Sequence, residues 1–235
     1  FSLDRFFEVA VPVVDAISAA HDKGITHRDL KPSNIMIDLE GNAFLMDFGI
    51  AKIMGSTKLT QTGQTMGTVR YEGSTWRTFG NLPAVGSHAP DVSLVNTKLQ
   101  NVTLANFMGK RKVFNIFVSI DRPVCAKSVI EFDRYGEGHD DVAMLAVSYD
   151  LPFAHKRFQE EHDLRNIIGL SAIRHAGFGE NYGVLIVDGP LAGMFARAIV
   201  VLDENNTVVH NEQIDDIETE PDYGSVLRAL GISVE

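Results

Sequence analysis

Residues 111–120, RKVFNIFVSI, would place apolar or β-branched side chains on both faces of any strand they form. Such a strand belongs in the middle of a sheet covered on both sides, which restricts the chain to a layered architecture. Further strands are expected at DVAMLAVSY (141–149) and YGVLIVD (182–188). RAIVVLDENNTVVHNEQI reads as a hairpin, because Asn205-Asn206 tolerates the positive φ of a tight turn. Helices are expected over roughly 124–135, 153–167 and 221–230. Upstream, VRYEGSTWRTFG alternates about a glycine turn and reads as a hairpin at 69–80. LPAVGSHAPDVSLVN, punctuated by Pro83, Gly86 and Pro90, reads as a loop. Strand, helix, strand, helix, hairpin, helix is an α/β order.

A covered sheet needs apolar material, and 45% hydrophobic with 22% charged residues supplies it. The net charge of −10 argues against a phosphate-neutralising surface, so no nucleic-acid partner is expected. No apolar run approaches the roughly 20 residues that cross a bilayer, so no membrane is expected either. The opening FSLDRFF lacks both a Met and a signal-peptide pattern, which reads as a cytoplasmic protein or a piece of a longer one. Eight histidines are scattered without a ligating pair on one helix, and no metal or cofactor is expected. GEGHDD (136–141) reads as a polar turn, GKRK (109–112) as a short basic turn, and EQIDDIETEPD as a solvated acidic loop.

The chain has one cysteine, Cys125, which excludes an internal disulfide. It follows the central strand by a few residues and opens the next helix, with Asp121 as the expected N-cap and Pro123 in the first turn. There it faces free backbone N–H groups and the positive end of the helix dipole, which favour the thiolate. Its pKa is therefore expected below the ordinary value of about 8.5. Gly136 and Gly138 are expected to fray the helix at its far end.

GKRKVFNIFVSIDRPVC, SYDLPFAHKRF, YGVLIVDGPLAGMFARAIVVLDENN and TEPDY resemble a bacterial thiol peroxidase of the peroxiredoxin superfamily, over residues 69–235. The resemblance implies a thioredoxin-like (peroxiredoxin) sandwich and a peroxidase acting on hydrogen peroxide or alkyl hydroperoxides. It makes Cys125 the attacking thiolate and places the guanidinium of Arg197 beside the sulfur. The electron donor would be a thioredoxin-like protein or a small thiol, and a homodimer is left open. Two departures matter. The family's loop reads Pro-x-x-x-Thr-x-x-Cys, where this chain has Val118 and Arg122; loss of one oriented hydrogen bond there is of order 2–4 kcal/mol. The position after RF, a resolving cysteine in atypical two-cysteine members, holds Gln159. Oxidised Cys125 would then depend on an outside thiol.

HRDLKPSN and DFG, about a dozen residues apart, resemble the catalytic loop and activation segment of a bacterial serine/threonine kinase, over residues 1–68. By that resemblance Asp29 would accept the substrate hydroxyl proton, Lys31 would sit beside the transferred phosphate, and Asn34 and Asp47 would hold Mg²⁺. LDRFFEVAVPVVDAISAAHDKG reads as an amphipathic helix that Pro12 weakens and Gly24 closes, and IMID with AFLMD as a hairpin. After GTVRY neither an APE-like anchor nor the large helices of a kinase lobe follow, so this segment is expected to be an inactive C-lobe fragment. Three functions stand open: a weakened peroxidase behind that fragment, a nucleotide-binding kinase-class protein with a regulatory redox domain, and a non-enzymatic chimera.

Overall fold

Two units partition the chain, Phe1–Gly63 and Gln64–Glu235. The computed structural model describes residues 67–175 and 177–232. In the first unit it describes 10–14, 17–18, 25–26, 35–37, 43–45 and 52–53. In that unit residues 10–14 are helical, Pro12 included, and Val13 is buried. Strand β1 (Ile25–Thr26) pairs antiparallel with β4 (Lys52–Ile53), and β2 (Ile35–Ile37) with β3 (Ala43–Leu45), Met36 lying opposite Phe44. The second pair is the hairpin that the alternation predicts. Asp29, Lys31, Asn34 and Asp47 lie outside the described residues.

The second unit opens on the hairpin of β5 (Gly67–Tyr71) and β6 (Ser74–Phe79), turned at Glu72-Gly73 with φ of 50° and 73°. A loop leads to β7 (Leu94–Asn96) and β8 (Asn101–Val102), then to a 3₁₀ turn at Leu104–Phe107 and to β9 (Arg111–Ile116). Helix α1 (Pro123–Gly136), β10 (Val142–Ser148), α2 (Pro152–Glu161) and β11 (Ile167–Ser171) follow. A short α3 (Phe178–Asn181) and β12 (Leu185–Ile186) precede β13 (Ala198–Leu202), β14 (Val208–Gln213) and α4 (Tyr223–Ala229).

Seven strands form one sheet in the order β14-β13-β9-β10-β11-β7-β8, with β9, β10 and β11 parallel. β12 joins the opening hairpin in a three-stranded sheet. The central strands are buried on both faces, as RKVFNIFVSI requires. Val113, Met144, Ile199 and Val201 face a core layer shared with Val129, Phe132, Phe158 and Val226 of the three long helices. Phe114, Leu145, Val147 and Val200 face a second layer with Leu94, Phe178, Tyr182 and Phe195. Successive strand residues alternate between the two layers, which follows from the two-residue period of a pleat.

The departures from the sequence reading have local causes. The strand expected to run to residue 120 stops at Ile116, because the chain must turn before Pro123. The helix expected to 167 ends at Glu161. Asp163 then takes φ of 52°, and the next residues are drawn into the sheet as β11. The carboxylate of Asp133 in α1 does the drawing. Its Oδ1 accepts from the backbone N–H groups of Asn166 (2.7 Å) and Ile167 (2.9 Å). Gly136 stays helical where fraying was expected, since its bare Cα lets the helix approach this segment. A Cβ there would lie 2.8 Å from that of Asn166.

Asp133→Ala would leave two N–H groups without their acceptor, at about 1–3 kcal/mol for a buried donor. Urea unfolding should show a loss of at least about 2 kcal/mol; a change within about 0.5 kcal/mol would mean that water replaces the carboxylate.

Candidate active site

Cys125 lies in the first turn of α1 and has no exposed surface. Pro123 occupies the start of the helix, where its missing N–H costs nothing. The N-cap is Arg122, in extended conformation and without a side-chain cap. Asp121, expected in that role, instead pairs with Arg157 of α2 at 2.9 Å. The first turn is pinned to β9 by a buried relay. Asn115 Nδ2 donates to Ser128 Oγ (3.1 Å), which donates to the carbonyl of Cys125 (2.8 Å).

Arg197 precedes β13 and is also fully buried, although nothing in FARAIVV sets it apart from an ordinary strand-end charge. Its Nη1 donates to the carbonyls of Ile217 (3.3 Å) and Thr219, and its Nη2 lies 3.5 Å from that of Val124, one residue before the cysteine. Burial draws its pKa down, and the opposing pull comes first from Cys125, then from Tyr223, Glu220 and Glu218. The structure therefore brings together the two residues that the resemblance singles out.

The segment read as a solvated acidic loop does keep Asp215, Glu218 and Glu220 exposed, and its backbone forms a strap across this site. Arg70 N donates to Asp215 O (2.6 Å) and Ile217 N to Arg70 O (3.0 Å), which fastens the strap to β5. Ile217 is fully buried. Glu218 forms an ion pair with Arg122, whose guanidinium also sits 5.0 Å from the ring centre of Tyr71. Glu220 accepts from Lys127 of α1 (2.6 Å) and from the hydroxyl of Tyr223 (3.0 Å), and Lys127 holds its carboxyl below the usual range. The quoted TEPDY contains part of this strap. A run of acidic letters does not disclose that its carbonyls and carboxylates meet four cations, Arg70, Arg122, Lys127 and Arg197.

Burial pushes the Cys125 thiol up, above its ordinary value. Arg197, the backbone N–H groups of Ser119 and Val118, and Arg122 all pull it down. The anion-stabilising groups expected at the helix start are thus present, but enclosure in apolar surroundings outweighs them. That reverses the direction expected from the sequence. Gln159 lies on α2 and donates from Nε2 to Ile167 O (2.6 Å), so it holds the helix to β11. Among the described residues no cluster of three or more His, Cys, Asp or Glu could hold a metal, and no helix is long and apolar enough to cross a membrane.

The Redoxin family model matches residues 84–227, and the protein kinase domain model matches residues 1–75. The thiol peroxidase of Mycobacterium bovis is 44% identical over 166 residues, 71% of this chain and 99% of that protein. The thiol peroxidase of Corynebacterium glutamicum is 39% identical over 165 residues, 70% of this chain and 99% of that protein. Among solved structures, a peroxiredoxin-like protein from Aquifex aeolicus matches with TM-score 0.67 and 32% identity, over 72% of this chain and 98% of its own. The fold is the thioredoxin-like one of the peroxiredoxins. Residues 67–75, inside the kinase match, belong to the β5–β6 hairpin of the second unit.

The thiol pKa has two measurable consequences. Alkylation of Cys125 by iodoacetamide should rise with pH through a midpoint above about 8.5, and Arg197→Gln should move that midpoint higher still. Because the folded state then keeps its proton longer than the unfolded chain, this group's contribution to stability should fall as pH rises from about 8.5 through the folded pKa. A midpoint below the ordinary value would show that the helix start and Arg197 outweigh burial.

Proposed function

We propose, on the premise that this chain belongs to the Redoxin family and is a peroxiredoxin-type thiol peroxidase, that residues 69–235 reduce hydrogen peroxide or small alkyl hydroperoxides through Cys125. The observation that carries the assignment of the site is the burial of Arg197 beside the cysteine, since a guanidinium is kept out of water only with compensating partners. In the reaction the thiolate sulfur attacks one peroxide oxygen. An S–O bond forms as the O–O bond breaks, the sulfur gives up two electrons, and the departing alkoxide or hydroxide takes a proton. Arg197 stabilises both the thiolate and the charge growing on the leaving oxygen. The amides of Val118 and Ser119 face the sulfur and favour its anion. A polar peroxide reaching the sulfur relieves the desolvation that keeps the thiol neutral, so ionisation is coupled to substrate arrival.

Arg122, in place of the family's threonine, brings a second cation to the sulfur, but Glu218 and Tyr71 hold its guanidinium. A long cation held in this way does not reproduce a short hydroxyl that both donates and accepts, which supports a slower enzyme. Gln159 at the resolving position supports a single-cysteine cycle. Sulfenic acid at Cys125 condenses with an outside thiol, releasing water, and a second thiol then reduces the mixed disulfide. A thioredoxin-like protein or a small thiol fits that role. For residues 1–68 the reading is a kinase-derived segment to which no phosphoryl transfer is assigned. The hairpin that begins at its end, at Gly67, belongs to the redox unit, and the sequence after it does not resemble the rest of a kinase lobe.

Peroxide consumption by the whole chain with a thiol donor, compared with Cys125→Ser, tests this reading. The wild type should turn over and the variant should not. Without added thiol, the intact mass after peroxide exposure should gain two oxygens on Cys125 and lose no pair of hydrogens. Turnover by Cys125→Ser, or recovery of the thiol without reductant, would refute the single-cysteine peroxidase.

A further inference from the structure

The N–H groups of Val118 and Ser119 can serve the Cys125 sulfur only if the loop between β9 and α1 keeps one conformation. A carboxylate from the neighbouring strand fixes that loop. Asp150, two residues beyond β10, accepts from Ser119 Oγ at Oδ1 (2.8 Å) and from the backbone N–H of Ile120 at Oδ2 (2.7 Å). Its Oδ2 also accepts from Ser148 Oγ (2.7 Å). Behind the Asp150 carboxylate, taken as ionised, stands a chain of donors. The one hydroxyl proton of Ser148 goes to Asp150, so its oxygen must accept, from Asp150 N (3.1 Å) and from His155 Nε2 (3.0 Å). His155 is therefore the Nε2–H tautomer, and burial keeps it neutral, with a pKa down to about 4. Ser148 and His155 are both buried, and their donors all run toward Asp150.

We propose that Asp150 is a positioning residue for the peroxidatic thiol, holding the loop so that its amides stay directed at Cys125. The proposal rests on the peroxidase reading of Cys125. Its rival is a purely structural turn clamp of the kind Asp133 provides at the other end of α1. A third possibility, direct action of the Asp150 charge on the sulfur, has the opposite sign. A nearby anion raises a thiol pKa, so removing it would lower that pKa.

Asp150→Asn, Ser119→Ala and Asp133→Ala, each compared with the wild type, separate these accounts, with the thiol followed by its alkylation rate against pH and stability by thermal unfolding. Asp150→Asn should raise the pKa of Cys125 by about one unit, cutting thiolate below that pKa about tenfold, and should slow the reaction with peroxide by at least as much. Ser119→Ala, which spares the Asp150 charge and the Ile120 contact, should shift the pKa the same way by a smaller amount. Asp133→Ala should lower the melting temperature and leave the thiol titration unchanged. An unchanged or lowered pKa in Asp150→Asn overturns the proposal, as does a loss of stability alone, like that of Asp133→Ala. Should Asp150→Asn not fold, an unshifted thiol in Ser119→Ala overturns it equally. The titration needs no peroxide, so failure of the peroxidase reading would show separately, as a normally titrating Cys125 that peroxide does not oxidise.

Discussion

A guanidinium without exposed surface is the constraint on which the site depends. Arg197 cannot leave water unless other groups replace the lost hydration, and burying an unpaired charge costs several kcal/mol or more. The strap carbonyls of Ile217 and Thr219 and the carbonyl of Val124 supply the replacement at the two Nη atoms, while Nε is buried without a hydrogen-bond partner. This requirement accounts for the path of the strap, whose next two acidic residues hold Arg122 and Lys127. Cation, strap and helix start form one assembly.

The same enclosure sets the chemistry of the thiol. Dipole, amides and two guanidinium groups favour the anion, while the apolar surroundings oppose it more strongly. On the proposed peroxidase reading, such a site holds its nucleophile in reserve. The donors are in place beforehand, and the only change needed at the moment of reaction is the arrival of a polar molecule at the sulfur. The core layers on either side of β9 and β10 keep that geometry, since Cys125 belongs to the same packed cluster as Val129, Phe132 and Met144.

Much of this was legible in the sequence, for identifiable reasons. The doubly apolar run at 111–120, of which 111–116 form β9, the Asn205-Asn206 turn and the Pro123 helix start are local signals, and each corresponds to an observed element. What sequence could not show depends on partners distant in the chain. The helix expected to reach 167 stops at Glu161, and β11 starts at Ile167, because Asp133, more than thirty residues earlier, claims the N–H groups of Asn166 and Ile167. The acidic loop gives no sign of being a strap because its cations are scattered at residues 70, 122, 127 and 197. Asp121 has the right letter for an N-cap but is taken by Arg157. The direction of the Cys125 pKa was missed for the same reason: position in a helix is local, whereas burial is collective. At the junction, GTVRY fits the patterns of both segments as sequence, and in the structure it is the first strand of the redox unit.

The most direct test of the account is the single-turnover rate of Cys125 with hydrogen peroxide, followed by trapping the sulfenic acid, in the wild type and in Arg197→Lys. Lysine keeps the charge but not the planar fork that reaches the strap carbonyls and the carbonyl of Val124 together. The account predicts a rate at least about a hundredfold lower in the variant, of the size seen when one oriented donor is removed from a reacting centre. An equal rate would contradict it, and would mean that the buried guanidinium serves the fold and not the thiol.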